Sequence, residues 1–155
     1  MAGTTHVSPR NIFFPFSITC FLFLSALVKL NDGINDDVLK YTNQFRKTKH
    51  LTDLVMRDDL NAIAQGHSED MAKGRTGFGH DGFNQRESEA QKIIKPFSAM
   101  AENVAYGATN GKEVVEMWKD SPGHRANMLG DYKYIGIGTA RDAKGIIYFT
   151  AIFVK

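Results

Sequence analysis

The segment WKDSPGHRANML (residues 118–129) places a histidine, an arginine and an amide within the first turns of a predicted helix. Ser121 fits the N-cap position, Pro122 fits the first helical position, and Gly130 can end the helix. Such a short helix has no structural need for His124. Because the positive end of a helix dipole disfavours the imidazolium, we expect His124 to be a neutral imidazole that can bind a metal or accept a proton.

Two further segments carry polar side chains inside apolar or glycine-rich surroundings. Glu102 and Asn103 lie in the run AENVAYG, and His80 lies in the segment FGHDG. In this order and at these spacings, the three segments resemble the CAP superfamily of cysteine-rich secretory, antigen 5 and pathogenesis-related 1 proteins, also called SCP domains. The similarity extends from about Val38 to the C-terminus. It is closest to bacterial-type, cysteine-poor members, which carry a run similar to SPGHRANML.

The resemblance implies a central cleft lined by His80, Glu102 and His124, which take the places of the family's first histidine, first acid and second histidine. Some members bind a divalent metal there. The resemblance therefore makes these three side chains a candidate zinc ligand set, with one position left for water. Ser121 stands where many members have a second acid, so one potential ligand and general base is missing from the predicted cleft.

The same residues also have structural interpretations that the sequence leaves open. His80 can be a surface histidine, and Glu102 can cap backbone amides. Four residues of the motifs are predicted to be structural: Asn103, Trp118, Arg125 and Asn127. We expect Trp118 in the core, Asn127 bonded to the backbone of a neighbouring loop, and Arg125 paired with an acid such as Asp120. His67 lies on the apolar stripe of its helix and is predicted to be a packed core histidine.

A serine hydrolase is not expected from these residues. At the N-cap, the hydroxyl of Ser121 would accept from a backbone amide near residue 124 instead of donating to the imidazole of His124. The chain also lacks a G-x-S-x-G nucleophile elbow around this serine.

Composition is that of one small exported domain. The chain has 155 residues, 43% of them hydrophobic, which is enough for one core. Net charge is +2 and the basic residues are scattered, which argues against nucleic-acid binding. Cys20 is the single cysteine and lies in the N-terminal apolar run, so the domain cannot be stabilised by internal disulfides.

The N-terminus is predicted to be a targeting segment. Residues 12–28 carry no charge and would form a helix of roughly 25 Å, slightly short of a bilayer core. Residues 1–30 are therefore interpreted as a signal peptide or a retained signal anchor, which would be the chain's only membrane contact. We expect an extracellular or cell-envelope location. Residues 31–37 contain turn-forming residues and are predicted to be a short linker before the domain at 38–155.

Segments with helical periodicity and segments with strand composition follow one another along the domain without a repeating β-α-β order. This order favours an α+β fold. The C-terminal part is predicted to be a β-hairpin. The resemblance sharpens this to a single α-β-α sandwich with a mostly antiparallel sheet between helices. The predicted helices begin near Val38, at Asp58, at Asn84 and, after a capping box, near Asn110; the predicted strands cover residues 134–139 and 146–154.

Three functional classes remain. We favour a non-enzymatic binding module whose cleft receives a ligand, such as a small apolar molecule or lipid, a divalent metal, or an extracellular partner. The first alternative is a metal-dependent, peptidase-like hydrolase with His80 and His124 as ligands and Glu102 as ligand or base. The second is a structural or interaction domain of the cell envelope with a vestigial cleft.

Overall fold

The computed structural model describes residues 18–155, with side chains from residue 33 onwards, as a single α+β domain. This part of the chain contains five helices and four strands. The helices are α1 (Ile18–Lys47), α2 (Asp58–Ala72), α3 (Phe83–Ile93), α4 (Gly111–Asp120) and α5 (Pro122–Met128). The strands are β1 (Val55–Met56), β2 (Met100–Tyr106), β3 (Tyr134–Arg141) and β4 (Ile147–Val154).

The four strands form one mixed sheet in the order β1-β3-β4-β2. Strand β4 pairs antiparallel with β2 and with β3, whereas β1 pairs parallel with β3. Alternate residues of β4 face opposite layers: Phe149 and Phe153 pack with α1, α4 and α5, and Ile152 packs with α2 and α3. The predicted α-β-α sandwich with a mostly antiparallel sheet is confirmed.

The segment 31–37, predicted to be a linker, is instead helical and belongs to α1. The reason lies in the contacts of this segment with distant parts of the fold. Ile34 and Val38 are buried in the core, one helical turn apart, and the side-chain amide of Asn35 donates to the Ile137 carbonyl at 3.1 Å. Burial of this face outweighs the weak helix propensity of the polar residues between them. Residues 1–17 of the predicted targeting segment, which covers residues 1–30, lie outside the described residues. Across residues 18–155, no helix combines the length and apolar character needed to span a bilayer.

Helix α2 lies unusually close to the sheet because β3 presents two glycines to it. A Cβ atom at Gly136 would collide with the backbone of Leu60, and one at Gly138 with the backbone of Gln65. The close approach lets Gln65 accept from the Thr139 amide at 3.0 Å. This contact fixes the position of α2 against the sheet. His67 lies on α2, so the contact also positions His67.

Helix α5 is held by a buried cation from α1. Arg46 is 1% exposed and donates to the carbonyls of Thr52, Met128 and Gly130 at 2.9, 2.8 and 2.9 Å. Met128 is the last residue of α5 and Gly130 follows it closely, so two charge-assisted bonds anchor the end of this short helix. The third bond holds the loop that contains Thr52. Burial lowers the pKa of Arg46 from its usual value.

Candidate functional site

Glu102 is the centre of a polar cluster on the α2/α3 side of the sheet. Its side chain, on β2, is only 1% exposed. Arg86 from α3 donates to both carboxylate oxygens, through Nε to Oε2 at 2.7 Å and through Nη2 to Oε1 at 2.8 Å. Nδ1 of His80 lies 2.9 Å from Oε1, and Nε2 of His67 lies 3.9 Å from the same oxygen. The carboxylate is thus held by a bidentate guanidinium and an imidazole, and within residues 18–155 it caps no backbone amide.

Arg86 was not identified from the sequence, and it organises the cluster. It lies in a helix of largely polar sequence, which gave no signal that one cation would be buried. Its side chain is 10% exposed, and besides Glu102 it donates to the Asp81 carbonyl at 2.7 Å. The guanidinium therefore neutralises a buried carboxylate, which is otherwise costly, and holds the loop that carries His80.

His67 is buried at 3% exposure, as predicted for a core histidine, but it also supports the site. Its Nε2 lies 2.9 Å from the Gly79 carbonyl. Because a carbonyl only accepts, Nε2 carries the proton. Burial is the main reason that the pKa of His67 lies below its usual value, so the ring is a neutral donor that pins the loop residue next to His80.

His80 is held through one ring nitrogen only. Its side chain is 51% exposed, and its Nδ1 faces the carboxylate of Glu102, an acceptor, so Nδ1 carries the proton. In the neutral ring Nε2 then holds a lone pair. Within residues 18–155, no group forms a hydrogen bond with this Nε2. The arrangement is that of a carboxylate-oriented imidazole ready to accept a bond from a ligand.

His124 lies half-buried near the start of α5. Burial is the main cause that lowers its pKa below the usual value, and the electrostatic interaction with His80 acts in the same direction. The direction agrees with the neutral imidazole expected from the sequence, although the causes are burial and His80 and not the helix dipole.

An amide network ties α5 to β2. Asn127 donates through Nδ2 to the Glu102 carbonyl at 3.2 Å and to Oδ1 of Asn103 at 2.9 Å. Asn103, which is fully buried, donates to the His124 carbonyl at 3.0 Å. Asn127 thus bonds the backbone of a strand, not of a loop as expected. These bonds fix the segment of His124 relative to the strand of Glu102.

The remaining motif residues are scaffold. Trp118 is 1% exposed in the core, as predicted, and donates to the Val104 carbonyl at 3.3 Å. Arg125 donates to the Lys119 carbonyl at 3.0 Å and does not pair with Asp120. Ser121 takes the N-cap position of α5, but its side chain makes no capping bond; only its carbonyl accepts, from the Arg125 amide at 2.8 Å. The expected hydroxyl cap was therefore wrong.

As a metal site, the cluster offers imidazoles more readily than the carboxylate. In the described part of the chain, no three His, Cys, Asp or Glu side chains are placed to hold one ion together. Both oxygens of Glu102 already accept from Arg86, and a cation beside them would be repelled by the guanidinium. A cation bound by the Glu102 carboxylate would therefore lie beside the Arg86 guanidinium.

A cavity of about 270 Å³ adjoins this cluster between α2 and α3. His67 and Arg86 form part of its wall, together with Asp70, Asp81 and Glu89, whereas His80, Glu102 and His124 do not line it. The cavity is thus bounded by the residues that support the cluster and not by the two imidazoles.

Comparison with known proteins finds a family match over most of the chain. Residues 39–153 match the family described as "CAP: Cysteine-rich secretory protein family". The chain is 31% identical over 130 residues to "Uncharacterized membrane protein YlbC" of Bacillus subtilis (strain 168), covering 82% of this chain and 36% of that protein. It is 30% identical over 104 residues to "Uncharacterized protein YkwD" of the same organism, covering 65% and 40%. The chain thus spans less than half the length of these curated relatives.

Solved structures share the fold at lower identity. An extracellular protein containing a SCP domain from Bacillus anthracis str. Ames superposes with a TM-score of 0.73 at 22% identity, covering 94% of this chain and 45% of that one. An outer surface protein from Borrelia burgdorferi gives 0.66 at 24% identity, covering 76% and 88%. At these identities the similarity establishes the fold.

Proposed function

Because the chain belongs to the cysteine-rich secretory protein (CAP) family, as a cysteine-poor, bacterial-type member, we propose that it is an exported, non-enzymatic ligand-binding domain. The ligand contacts the surface formed by the imidazoles of His80 and His124. The location is supported by the apolar run at residues 12–28 and by the descriptions of matched proteins as extracellular, outer surface and membrane proteins.

The observation that carries the proposal is the bidentate bond between Arg86 and Glu102. A carboxylate that acts as general base needs a lone pair directed at the proton it removes. Both oxygens of Glu102 instead accept from the guanidinium, at 2.7 and 2.8 Å, and the group is 1% exposed. In this role Glu102 orients His80, whose half-exposed ring is left to contact a ligand. This supports binding over the hydrolase alternative.

A divalent metal is one ligand of the proposed class. His80 and His124 would supply two of the four ligands that zinc takes, and Glu102 would orient His80 from behind. A metal bound there would add a positive centre that attracts an anionic group of a larger ligand. Ser121 at the start of α5 leaves the cleft without the second acid of many relatives.

Two probes test the proposal on the full chain: zinc chloride, followed by calorimetry, and anilinonaphthalene sulfonate, followed by amide chemical shifts. We compare His80→Asn and His124→Asn with the control His50→Asn. His50 is exposed and has a φ of 58°, which asparagine tolerates.

We expect at least one probe to bind the unaltered chain, with binding lost in His80→Asn and His124→Asn and retained in His50→Asn. Binding that survives both site variants would overturn the proposed cleft. If neither probe moves the amide signals around residues 79–80 and 124, the structural or interaction role of an envelope domain is favoured instead.

A further inference from the structure

A second candidate site is a groove at the end of the sheet where β1 and β3 begin and β4 ends. It has a volume of about 600 Å³ and shares no lining residue with the cluster around Glu102. This volume falls within the range of small-molecule sites, about 300–1,000 Å³. We call it the lysine groove, after Lys95, Lys133 and Lys155 in its wall.

The ion pairs of the lysine groove leave two positive charges unpaired. Lys155 pairs with Asp131, and the other acid of the wall, Asp53, pairs with Lys47 at 3.0 Å. Among the side chains described, those of residues 33–155, no acid lies within ion-pair distance of Lys95 or Lys133. The groove therefore complements an anion.

The backbone oxygen of Lys155 also has hydrogen-bond donors in the wall of the groove. It accepts from the amide of Ser98 at 2.8 Å and from the hydroxyl of the same residue at 3.3 Å. Ser98 also lies in the wall of the groove, so these two bonds hold the backbone of Lys155 against it.

An apolar surface lies beside these charges. Val55 is 53% exposed. Two cations lie over the ring of Tyr134: Lys133 Nζ is 5.0 Å from the ring centroid, and the Arg57 guanidinium is 5.3 Å from it. Tyr132 is anchored against the core residue Phe153, with ring centroids 5.8 Å apart. Rings held in this way form a preformed surface on which an apolar or ring-shaped group can pack.

We propose that the lysine groove binds a soluble phosphate ester, with the phosphate at Lys95 and Lys133 and the ring of the ester against Tyr134 and Val55. Lysine favours phosphate over carboxylate here. An ammonium is a compact point charge suited to a tetrahedral anion, whereas planar carboxylates are recognised best by the fork of arginine.

Phenyl phosphate is the probe, because it carries both groups; inorganic phosphate and phenol each carry one. Titrations of the full chain, followed by amide chemical shifts, locate binding directly. The variants are Lys95→Met and Lys133→Met, and the matched control is Lys112→Met, an exposed lysine of α4. Retained signal dispersion shows that each variant is folded.

We expect phenyl phosphate to shift the signals of residues 95–98 and 132–134 and to bind more tightly than either inorganic phosphate or phenol. Each groove variant should weaken it by about fivefold or more, and the control should leave it unchanged. Added salt should also weaken it. Three results would overturn the proposal: no shifts at these residues, phenol binding as tightly as phenyl phosphate, or equal affinity in the groove variants and the control.

Discussion

Replacing Arg86 by methionine tests the central feature of the site. The substitution removes the cation that neutralises Glu102 while keeping an apolar side chain in its place. Glu102 is 1% exposed and loses two bonds, of 2.7 and 2.8 Å. Removing one partner of a buried ion pair costs about 3–5 kcal/mol, because the other charge is left buried without compensation. Water can reach the carboxylate past the half-exposed His80, so we expect a loss near the lower limit, about 3 kcal/mol.

A double-mutant cycle separates the charge effect from the packing effect. Combining Arg86→Met with Glu102→Leu replaces the whole ion pair by apolar groups, which is often neutral or stabilising. We expect the double variant to recover most of the stability lost by Arg86→Met. Arg125→Met is the matched control: this arginine is exposed and bonds only a backbone carbonyl, so its loss should stay within about 0.5 kcal/mol.

Urea unfolding measures all of these variants. Trp118 is the sole tryptophan and is 1% exposed, so its fluorescence reports the loss of the core. A loss below about 1 kcal/mol for Arg86→Met would refute the reasoning, since that is the range of exposed ion pairs. So would additive effects of the two substitutions, because they would show that the two charges are not coupled.

Three further predictions concern the scaffold. Gly138→Ala pushes α2 from the sheet and should lower the free energy of unfolding by about 1–3 kcal/mol or more, whereas Gly66→Ala, with open space around it in α2, should raise it by about 0.5–1 kcal/mol. Asn110→Ala removes a cap that accepts from the Glu113 amide and should cost about 1 kcal/mol, whereas Ser121→Ala should cost little. Because burial lowers the pKa of His67 below its unfolded value of 6.5, the unfolded chain binds more protons, and stability should fall as pH drops below 6.5.

Urea titrations, which give the free energy of unfolding, test each of these three predictions. Equal stability of the two glycine variants would contradict the close approach of α2. A larger loss for Ser121→Ala than for Asn110→Ala would show that the serine caps α5. For the pH dependence, His67→Gln keeps a side-chain donor and removes the titration, so it should flatten the fall below pH 6.5; an unchanged pH profile in this variant would assign the dependence to other groups.

Local signals predicted most helices and the hairpin correctly. Strong helix starts, glycine positions and β-branched runs act within a few residues, so they can be recognised without knowledge of the fold. The strands β1 and β2 were not predicted, and the segment 31–37, where turn-forming residues are helical, was predicted to be a linker. There the decisive term is burial of Ile34 and Val38 against distant elements, which no local pattern contains.

The sequence by itself determined the family, the sandwich architecture and the three segments that carry His80, Glu102 and His124, because these depend on local patterns and on a specific motif. Only the tertiary structure decided which partners those groups contact. Arg86 lies 16 residues from Glu102, in a polar helix, and becomes its partner because α3 packs against the sheet. A buried carboxylate takes its properties from the charge beside it, and packing of distant elements chooses that charge.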